Sequence, residues 1–313
     1  MFTILIVMNL ELSSFELQII SLLDTPLSIG ELTKLTGVTK GYISKAAASL
    51  KDRGFVEISK RGLTKKVTLS NNPHASKLKS ILRRRSYMPL SELLQGSGIR
   101  VLAVLACGSA DFTPLMAESE LSEATLWRWI KKFKGHAMLL SRGSEYELPH
   151  DLADIREFLE YYCTYFAAAT LKDISPSGNF IAAHGFEFLF SLDGEILHEH
   201  VKPTGLTMIS EEIPLMIAEN YYFYSLRTLS REEIAVHAIV VDPYSKRNLT
   251  YVIMYILKTK LDMNLFHRIA KRYKIADIVE AISELLNKWE MPKESFMPEP
   301  MYVREKLAEY RIQ

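Results

Sequence analysis

Lysine, arginine and hydroxyl side chains are concentrated in two neighbouring stretches near the start of the chain. The first is TKGYISKAAASLKDR at residues 39–53, and the second is SKRGLTKK at residues 59–66. Residues 1–85 carry 14 Lys and Arg against 6 Asp and Glu, a net charge of +8, whereas the whole chain carries only +1. Such a concentration of positive charge predicts a surface that neutralises phosphate groups.

Two helices separated by a tight turn are predicted to position the first stretch. A helix over residues 28–35 would bury one face formed by Ile29, Leu32 and Leu35. Gly37 follows where the chain must turn, because glycine adopts a positive φ at no steric cost. Thr39 then caps a second helix that runs to about Arg53.

The second helix separates an apolar face from a polar one. Its inner face is predicted to carry Ile43, Ala47 and Leu50. Gly41 and Lys45 point the opposite way, with Tyr42, Ser44 and Ser49 on the flanks. Two alternating runs, FVEI at residues 55–58 and KVTL at residues 66–69, then predict paired strands with a basic tip between them.

This order of elements over residues 28–69 resembles the winged helix-turn-helix of MarR-like and archaeal transcription regulators. The resemblance implies a recognition helix in the major groove of DNA and a basic wing on the flanking backbone. The alternative is a winged helix used only for protein contacts. The DNA contacts that the resemblance implies are Thr39, Lys40, Gly41, Tyr42, Ser44, Lys45, Ser49, Lys60, Arg61, Lys65 and Lys66.

Three consecutive arginines, Arg83, Arg84 and Arg85, end a helix predicted from about His74. They suit the negative end of the helix dipole, and they also have the charge to reach phosphates beside the first domain. We include them among the expected DNA contacts. The alternative is a solvated basic helix end.

Residues 90–148 are predicted to repeat the same plan as a second winged helix. The helix from Ser122 to Gly135 would stand at the recognition position. Residues 86–171 carry 7 Lys and Arg against 11 Asp and Glu, so a packing or dimerisation module is the alternative. We favour DNA contact because positive charge gathers on that one helix. The tentative contacts are Thr125, Arg128, Lys131, Lys132 and Lys134.

The rest of the chain predicts a long helix and a separate C-terminal domain. Residues 152–171 read as one helix, either a connector between halves or a dimer helix, with an apolar stripe. The predicted fold is α+β: tandem winged helix-turn-helix domains, then a mixed α+β domain with a C-terminal helical bundle. The predicted domains are 1–86, 87–150, the connector 151–171, and 172–313 with a mixed sheet.

Residues 221–286 resemble the nucleotidyltransferase-like domain that follows a winged helix in AbiEi-type antitoxins. An active nucleotidyltransferase needs a Gly-Ser pair followed by two carboxylates at Asp-x-Asp spacing to hold Mg²⁺. This region has no such pair, and Gly108-Ser109 lies outside it without one. We therefore expect no enzymatic activity and no cofactor.

The sequence HEH at residues 198–200 raises the question of a metal site. If Asp193-Gly194 is a two-residue hairpin turn, His198 and His200 share a strand face, with Glu187 opposite His200. The alternative is the polar face of a hairpin whose other face is phenylalanine. We favour that alternative and predict no metal site.

Taken together, these features predict a sequence-specific DNA-binding transcription regulator. A homodimer is expected because one winged helix reads only a short half-site, and the C-terminal domain would sense a small molecule or bind a protein. The alternative is an AbiEi-type antitoxin that represses its own promoter and counteracts a nucleotidyltransferase toxin.

The cysteines and the apolar segments bear on location. Cys107 and Cys163 lie in apolar surroundings, which predicts buried thiols and a cytoplasmic location. No apolar run reaches the ~18 residues that span a bilayer, so no membrane partner is expected. The N-terminal MFTILIVMNLEL is expected to be a packed strand or helix start.

Overall fold

The computed structural model describes residues 10–61 and 64–312, with only the backbone at Arg61. The N-terminal strand or helix start expected within residues 1–12 therefore lies mostly outside the described residues, because residues 1–9 are not described. Gly62 and Leu63 at the tip of the basic hairpin are not described either. Within the described residues the chain is a mixed α+β protein with 15 α-helices and three small antiparallel sheets. It divides into unit 1, Met1–Asp173, and unit 2, Ile174–Gln313.

The first half of unit 1 combines four helices with a three-stranded sheet. Its elements are α1 (Ser14–Leu22), β1 (Leu27–Ser28), α2 (Ile29–Thr36), α3 (Lys40–Asp52), β2 (Val56–Arg61), β3 (Thr64–Leu69) and α4 (Pro73–Arg84). The strands pair antiparallel in the order β1-β3-β2. The sheet therefore holds the start of α2 next to the long β2–β3 hairpin.

Local sequence explains where these helices begin and end. Ser13 and Ser28 each form a capping box, with Glu16 and Glu31 respectively, so backbone donors at the starts of α1 and α2 are satisfied. Gly37 ends α2 with φ of +71°. The predicted burial of Leu35 is wrong: α2 is only two turns long, buries Leu32 alone, and leaves Leu35 58% exposed.

The second half of unit 1 contains five α-helices and a second three-stranded sheet. Its elements are α5 (Leu90–Leu93), α6 (Gly98–Ala106), β4 (Ala110–Asp111), α7 (Phe112–Ser119), α8 (Glu123–Gly135), β5 (Leu140–Arg142), β6 (Glu145–Glu147) and α9 (Ala153–Ile174). The strands pair antiparallel in the order β4-β6-β5, which matches the order in the first half.

The two halves repeat one arrangement at a constant offset. β1, α2 and α3 begin at residues 27, 29 and 40, and β4, α7 and α8 begin at 110, 112 and 123, each 83 residues later. The helices also match in length, 8 residues for α2 and α7 and 13 for α3 and α8. The turn after each short helix is left-handed, at Gly37 and at Glu120.

Helix α9 belongs to the core of unit 1. Its predicted apolar stripe is buried, as the spacing indicated, and consists of Ile155, Leu159, Tyr162, Cys163 and Phe166. The hydroxyl of Tyr162 donates to the carbonyl of Leu10 at 3.0 Å, and its ring lies 5.1 Å from that of Phe55. This stripe is covered within one chain, so the alternative of a dimer helix built on it is wrong.

Unit 2 begins with a four-stranded sheet. Its strands are β7 (Asn179–His184), β8 (Glu187–Leu192), β9 (Val201–Pro203) and β10 (Asn220–Tyr224), in the order β7-β8-β10-β9. Every pair is antiparallel, so the predicted mixed sheet is wrong. The hairpin predicted at Asp193-Gly194 is also wrong, because β8 is already paired on both edges, by β7 and by β10.

Six helices complete unit 2. They are α10 (Gly205–Glu212), α11 (Arg231–Val241), α12 (Lys246–Thr259), α13 (Met263–Arg272), α14 (Ala276–Lys288) and α15 (Pro300–Glu309). Ser230 and Glu233 form a capping box at the start of α11, as the Ser-x-x-Glu spacing of the sequence indicates. The helices share one apolar core, with Val252, Ile253 and Phe266 fully buried. Across the described segments of both units, no helix combines the length and apolarity needed to cross a membrane.

Candidate nucleic-acid interface

Helix α3 turns a narrow polar face toward solvent. Ile43, Ala47 and Leu50 are fully buried, as predicted, and they fix the helix against the core. Gly41, Lys45 and Ala48 lie on the opposite side and are exposed. The outward face is therefore one cation between two small residues, a shape that lets a partner approach the backbone closely.

The start of α3 carries three of the predicted contacts, Thr39, Lys40 and Tyr42, all of them exposed. Thr39 occupies the N-cap position, but its side chain makes no capping hydrogen bond, so that part of the prediction is wrong. The Tyr42 ring is 52% exposed and lies 5.0 Å from that of Phe15. Packing on Phe15 thus holds an aromatic ring at the surface beside Lys45.

The two serines predicted to read DNA are in different situations. Ser44 is half-buried. The hydroxyl of Ser49 accepts a hydrogen bond from the Arg53 guanidinium at 2.8 Å. That bond ties Ser49 to the end of its own helix, so its role is structural in this arrangement.

The β2–β3 hairpin concentrates cations. Lys60 stands opposite Lys65 across the two strands, and Lys66 stands opposite Ser59. All three lysines are exposed, and within the described residues none of them makes an ion pair. Like charges placed directly across a strand pair destabilise it by roughly 0.2–1 kcal/mol. An anionic partner bound between the lysines would relieve this repulsion, so the hairpin is more stable with such a partner than without it.

The three arginines at the end of α4 are not equivalent. Arg85 binds Asp154 through two nitrogens, at 2.9 and 3.1 Å, and also donates to the carbonyl of Asp151. The Arg85 guanidinium thus joins α4 to α9, which argues against the predicted DNA contact of this residue. Arg84 lies 3.5 Å from Asp154 with a 58% exposed side chain, and Arg83 is exposed.

Some of the side chains predicted to contact DNA from α8 have partners within the protein, here called held, and the others, here called free, have none in the described residues. Lys132 donates to the carbonyl of Glu92 at 3.0 Å, and Lys134 lies over the Tyr146 ring at 5.2 Å. Thr125 accepts a hydrogen bond from Ser122 at 3.0 Å. The free members of the set are Arg128 and Lys131, which are exposed and make no ion pair within the described residues.

Sequence reasoning missed a buried arginine that orients α3. Arg53 is 2% exposed and forms an ion pair with Glu16, whose own exposure is 7%. Its guanidinium also donates to backbone carbonyls of Glu11 and Ser49. Because every polar side of the guanidinium has an acceptor, the end of α3 is fixed to α1.

His74 completes this buried region. Its imidazole donates from Nε2 to the Arg53 carbonyl at 3.0 Å, and its ring packs edge-on against Phe55 at 4.6 Å. Burial lowers the pKa of His74 to about 4. The ring is therefore neutral at physiological pH and acts as a packing group.

The carboxylate predicted for a metal cluster in unit 2 has a different partner. Glu187 is buried and accepts from Arg227 at 2.8 Å, and Arg227 also binds Glu233 at 2.5 Å. The His-His-Glu geometry is thus wrong, because the loop that carries His198 and His200 does not pair with β8. Within the described residues no group of three or more potential metal ligands is found.

Unit 2 also has an open groove of about 550 Å³ between the end of α10, α12 and the C-terminal segment. Its walls include Leu215, Met216, Tyr251 and Tyr310. The Arg247 guanidinium lies over the Tyr251 ring, 5.8 Å from its centroid, and also borders the groove. The groove thus combines apolar walls with one positive charge.

Comparisons with protein-family models, with curated proteins and with solved structures each gave no match. The functional assignment therefore depends on the arrangement of the chain's own side chains.

Proposed function

We propose that the protein is a DNA-binding transcription regulator whose first half is a winged helix-turn-helix. The observation that carries this proposal is the cluster of exposed lysines on the β2–β3 hairpin, Lys60, Lys65 and Lys66, which make no ion pair within the described residues and belong to the same half as α3. In this reading α3 is the recognition helix, and the β2–β3 hairpin is the wing.

The outward face of α3 suits insertion into a major groove. The groove is about 12 Å wide and an α-helix with side chains is about 10–12 Å across, so small residues on the leading face help the fit. Gly41 and Ala48 provide that face, and Lys45 stands between them. Lys45 and Tyr42 would contact base edges, and the lysines of the wing would bind phosphates on the flanking backbone.

Unit 2 would supply the sensing or protein-binding function of the regulator. Its open groove offers apolar and aromatic walls with the Arg247 guanidinium at the edge, which suits a small molecule or a peptide that carries a negative charge. A homodimer would present two recognition helices to two half-sites. Sedimentation of the full chain with and without DNA measures that state directly.

The wing is tested by a charge-matched pair of variants of the full chain. K60A/R61A/K65A/K66A removes three lysines and one arginine from the wing, and K246A/R268A/K271A/K293A removes the same charges from exposed positions of unit 2. We expect the wing variant alone to bind duplex DNA more weakly. Its salt slope should be shallower by up to about 3.6, from about 0.9 for each lost phosphate contact. Equal DNA affinity for the two variants would rule out the wing.

A second variant separates groove insertion from charge. Gly41 has no neighbour within 4 Å of where a Cβ would lie, so Gly41→Leu should fold normally and even stabilise α3 by about 0.5–1 kcal/mol. In a major groove the same side chain would meet base edges, so we expect DNA affinity to fall about tenfold or more. Gly135→Leu at the end of α8 is the matched control, because a Cβ there also has no neighbour within 4 Å and no charge is changed. An unchanged affinity in G41L would contradict the placement of α3.

A further inference from the structure

Helices α3 and α8 border one cleft inside unit 1. Ser49 of α3 and Arg128 and Trp129 of α8 line a cleft of about 620 Å³. Lys45 precedes Ser49 by one helical turn on the same side of α3. Arg128 therefore borders the same cleft as the last turns of α3, one helical turn beyond Lys45.

The 83-residue repeat places α3 and α8 in equivalent positions. Lys45 corresponds to Arg128, and Ala48 corresponds to Lys131. Arg128 and Lys131 are exposed, and in the described part of the chain neither makes an ion pair. The other two cations of α8 are held, one at the Glu92 carbonyl and one over the Tyr146 ring. One of the two free cations, Arg128, thus borders the same cleft as the proposed recognition helix, and Lys131 follows it three residues later on α8.

We propose that Arg128 and Lys131 bind the phosphate backbone of the same DNA duplex whose major groove accepts α3. This inference rests on the proposed function. Half-sites read by two recognition helices lie about 34–36 Å apart, whereas α3 and α8 border one cleft within a single chain. Helix α8 is therefore not a second reader of sequence. It is a clamp on the strand beside the groove, and it extends the footprint of a single chain.

The clamp is tested with two double variants of the full chain that remove the same number of charges from the same helix. R128A/K131A removes the free cations, and K132A/K134A removes the held ones. Fluorescence anisotropy is measured with two duplexes of unrelated sequence over a range of salt concentrations. We expect R128A/K131A to bind both duplexes roughly tenfold more weakly, with a salt slope shallower by about 1.8. K132A/K134A should retain the wild-type slope.

Two results would overturn the clamp. One is a wild-type slope in R128A/K131A, and the other is a loss confined to one of the two sequences, which would make α8 a base reader. If thermal unfolding shows that R128A/K131A is less stable, R128Q/K131Q removes the charges and keeps longer side chains. Wild-type protein and the wing variant are measured alongside. If the wing variant loses DNA affinity and R128A/K131A does not, the clamp alone is refuted. If the wild-type protein has no DNA affinity, the proposed function is refuted.

Discussion

The two halves of unit 1 share a backbone plan and differ in what stabilises it. The first half has a buried ion pair, Arg53 with Glu16, and a glycine, Gly54, in the left-handed turn after its long helix. The second half has His136 and Ala137 at the equivalent positions, both exposed. Aromatic stacking of Trp127 on Phe112 and of Trp129 on Phe133 supports the second half instead. The same arrangement is thus compatible with ionic and with aromatic packing.

The hairpins differ more than the helices. β2 and β3 have six residues each, and β5 and β6 have three each. In the described residues, the exposed lysines of the longer hairpin make no ion pairs. On the shorter hairpin, Arg142 binds Glu147 at 2.8 Å. The two halves thus share a backbone arrangement and differ in the charged side chains that it leaves exposed without ion pairs in the described residues.

The largest difference between the halves is expected at the two residues that follow the long helices. Arg53→Ala leaves the Glu16 carboxylate buried without its cation and should lower the free energy of unfolding by about 3–5 kcal/mol. His136→Ala, at the equivalent exposed position, should change it by less than about 0.5 kcal/mol. Urea denaturation of the full chain measures both, and hydrogen exchange locates the loss. If Arg53→Ala and His136→Ala changed the free energy of unfolding by similar amounts, the expected difference between the two halves would be contradicted.

The next residue in each half, Gly54 or Ala137, is expected to give a smaller change in stability. The substitution at Gly54 should destabilise the protein, and the one at Ala137 should stabilise it. Gly54 has φ of +71°, and a Cβ there would lie 2.3 Å from the Tyr165 ring, so Gly54→Ala should destabilise by about 3 kcal/mol. Ala137 has φ of +53° and is exposed, so Ala137→Gly should stabilise slightly, by up to about 1 kcal/mol. Thermal unfolding of both variants measures the pair. Stabilisation by G54A would show that the tight contact with Tyr165 is wrong.

Acid should weaken the first half before the second. The pKa of His74 is about 4 in the folded protein and 6.5 without burial, so its contribution is complete above about pH 6.5 and is lost as the pH falls toward 4. Between pH 7 and pH 5 the loss should be about 2 kcal/mol. Hydrogen exchange at the two pH values should show faster opening around α4, and His74→Phe should remove most of that difference. If opening around α4 in wild-type protein did not change between pH 7 and pH 5, the lowered pKa of His74 would be contradicted.

Much of the local structure could be predicted from the sequence, because it depends on neighbouring residues. The buried positions of α3 follow from spacing, and the capping box at Ser230 follows from local chemistry. The strand Asn220–Tyr224 follows from its aromatic run. The repeat of the helical elements is also visible, because apolar spacing and turn residues recur.

The errors concern partners that are distant in the sequence. Arg53 stands in a basic helix end that resembles a solvated one, and only its contact with Glu16, 37 residues away, explains its burial. Arg85 is among the expected DNA contacts, but it binds Asp154, which lies 69 residues later in the sequence. The hairpin at Asp193 fails because β8 already has two neighbours in the sheet. Helix α10 was not predicted at all.

The burial of α9 in unit 1 has a consequence for how the protein is made. Tyr162 donates to the carbonyl of Leu10 across 152 residues, and its ring covers Phe55. The core of the first half therefore remains open after its own sheet has been synthesised. At about 5–20 residues per second, the roughly 90 residues between β3 and Tyr162 take about 5–20 s to emerge. During that interval the nascent chain exposes the apolar surface around Phe55, which α9 covers only once Tyr162 has been synthesised.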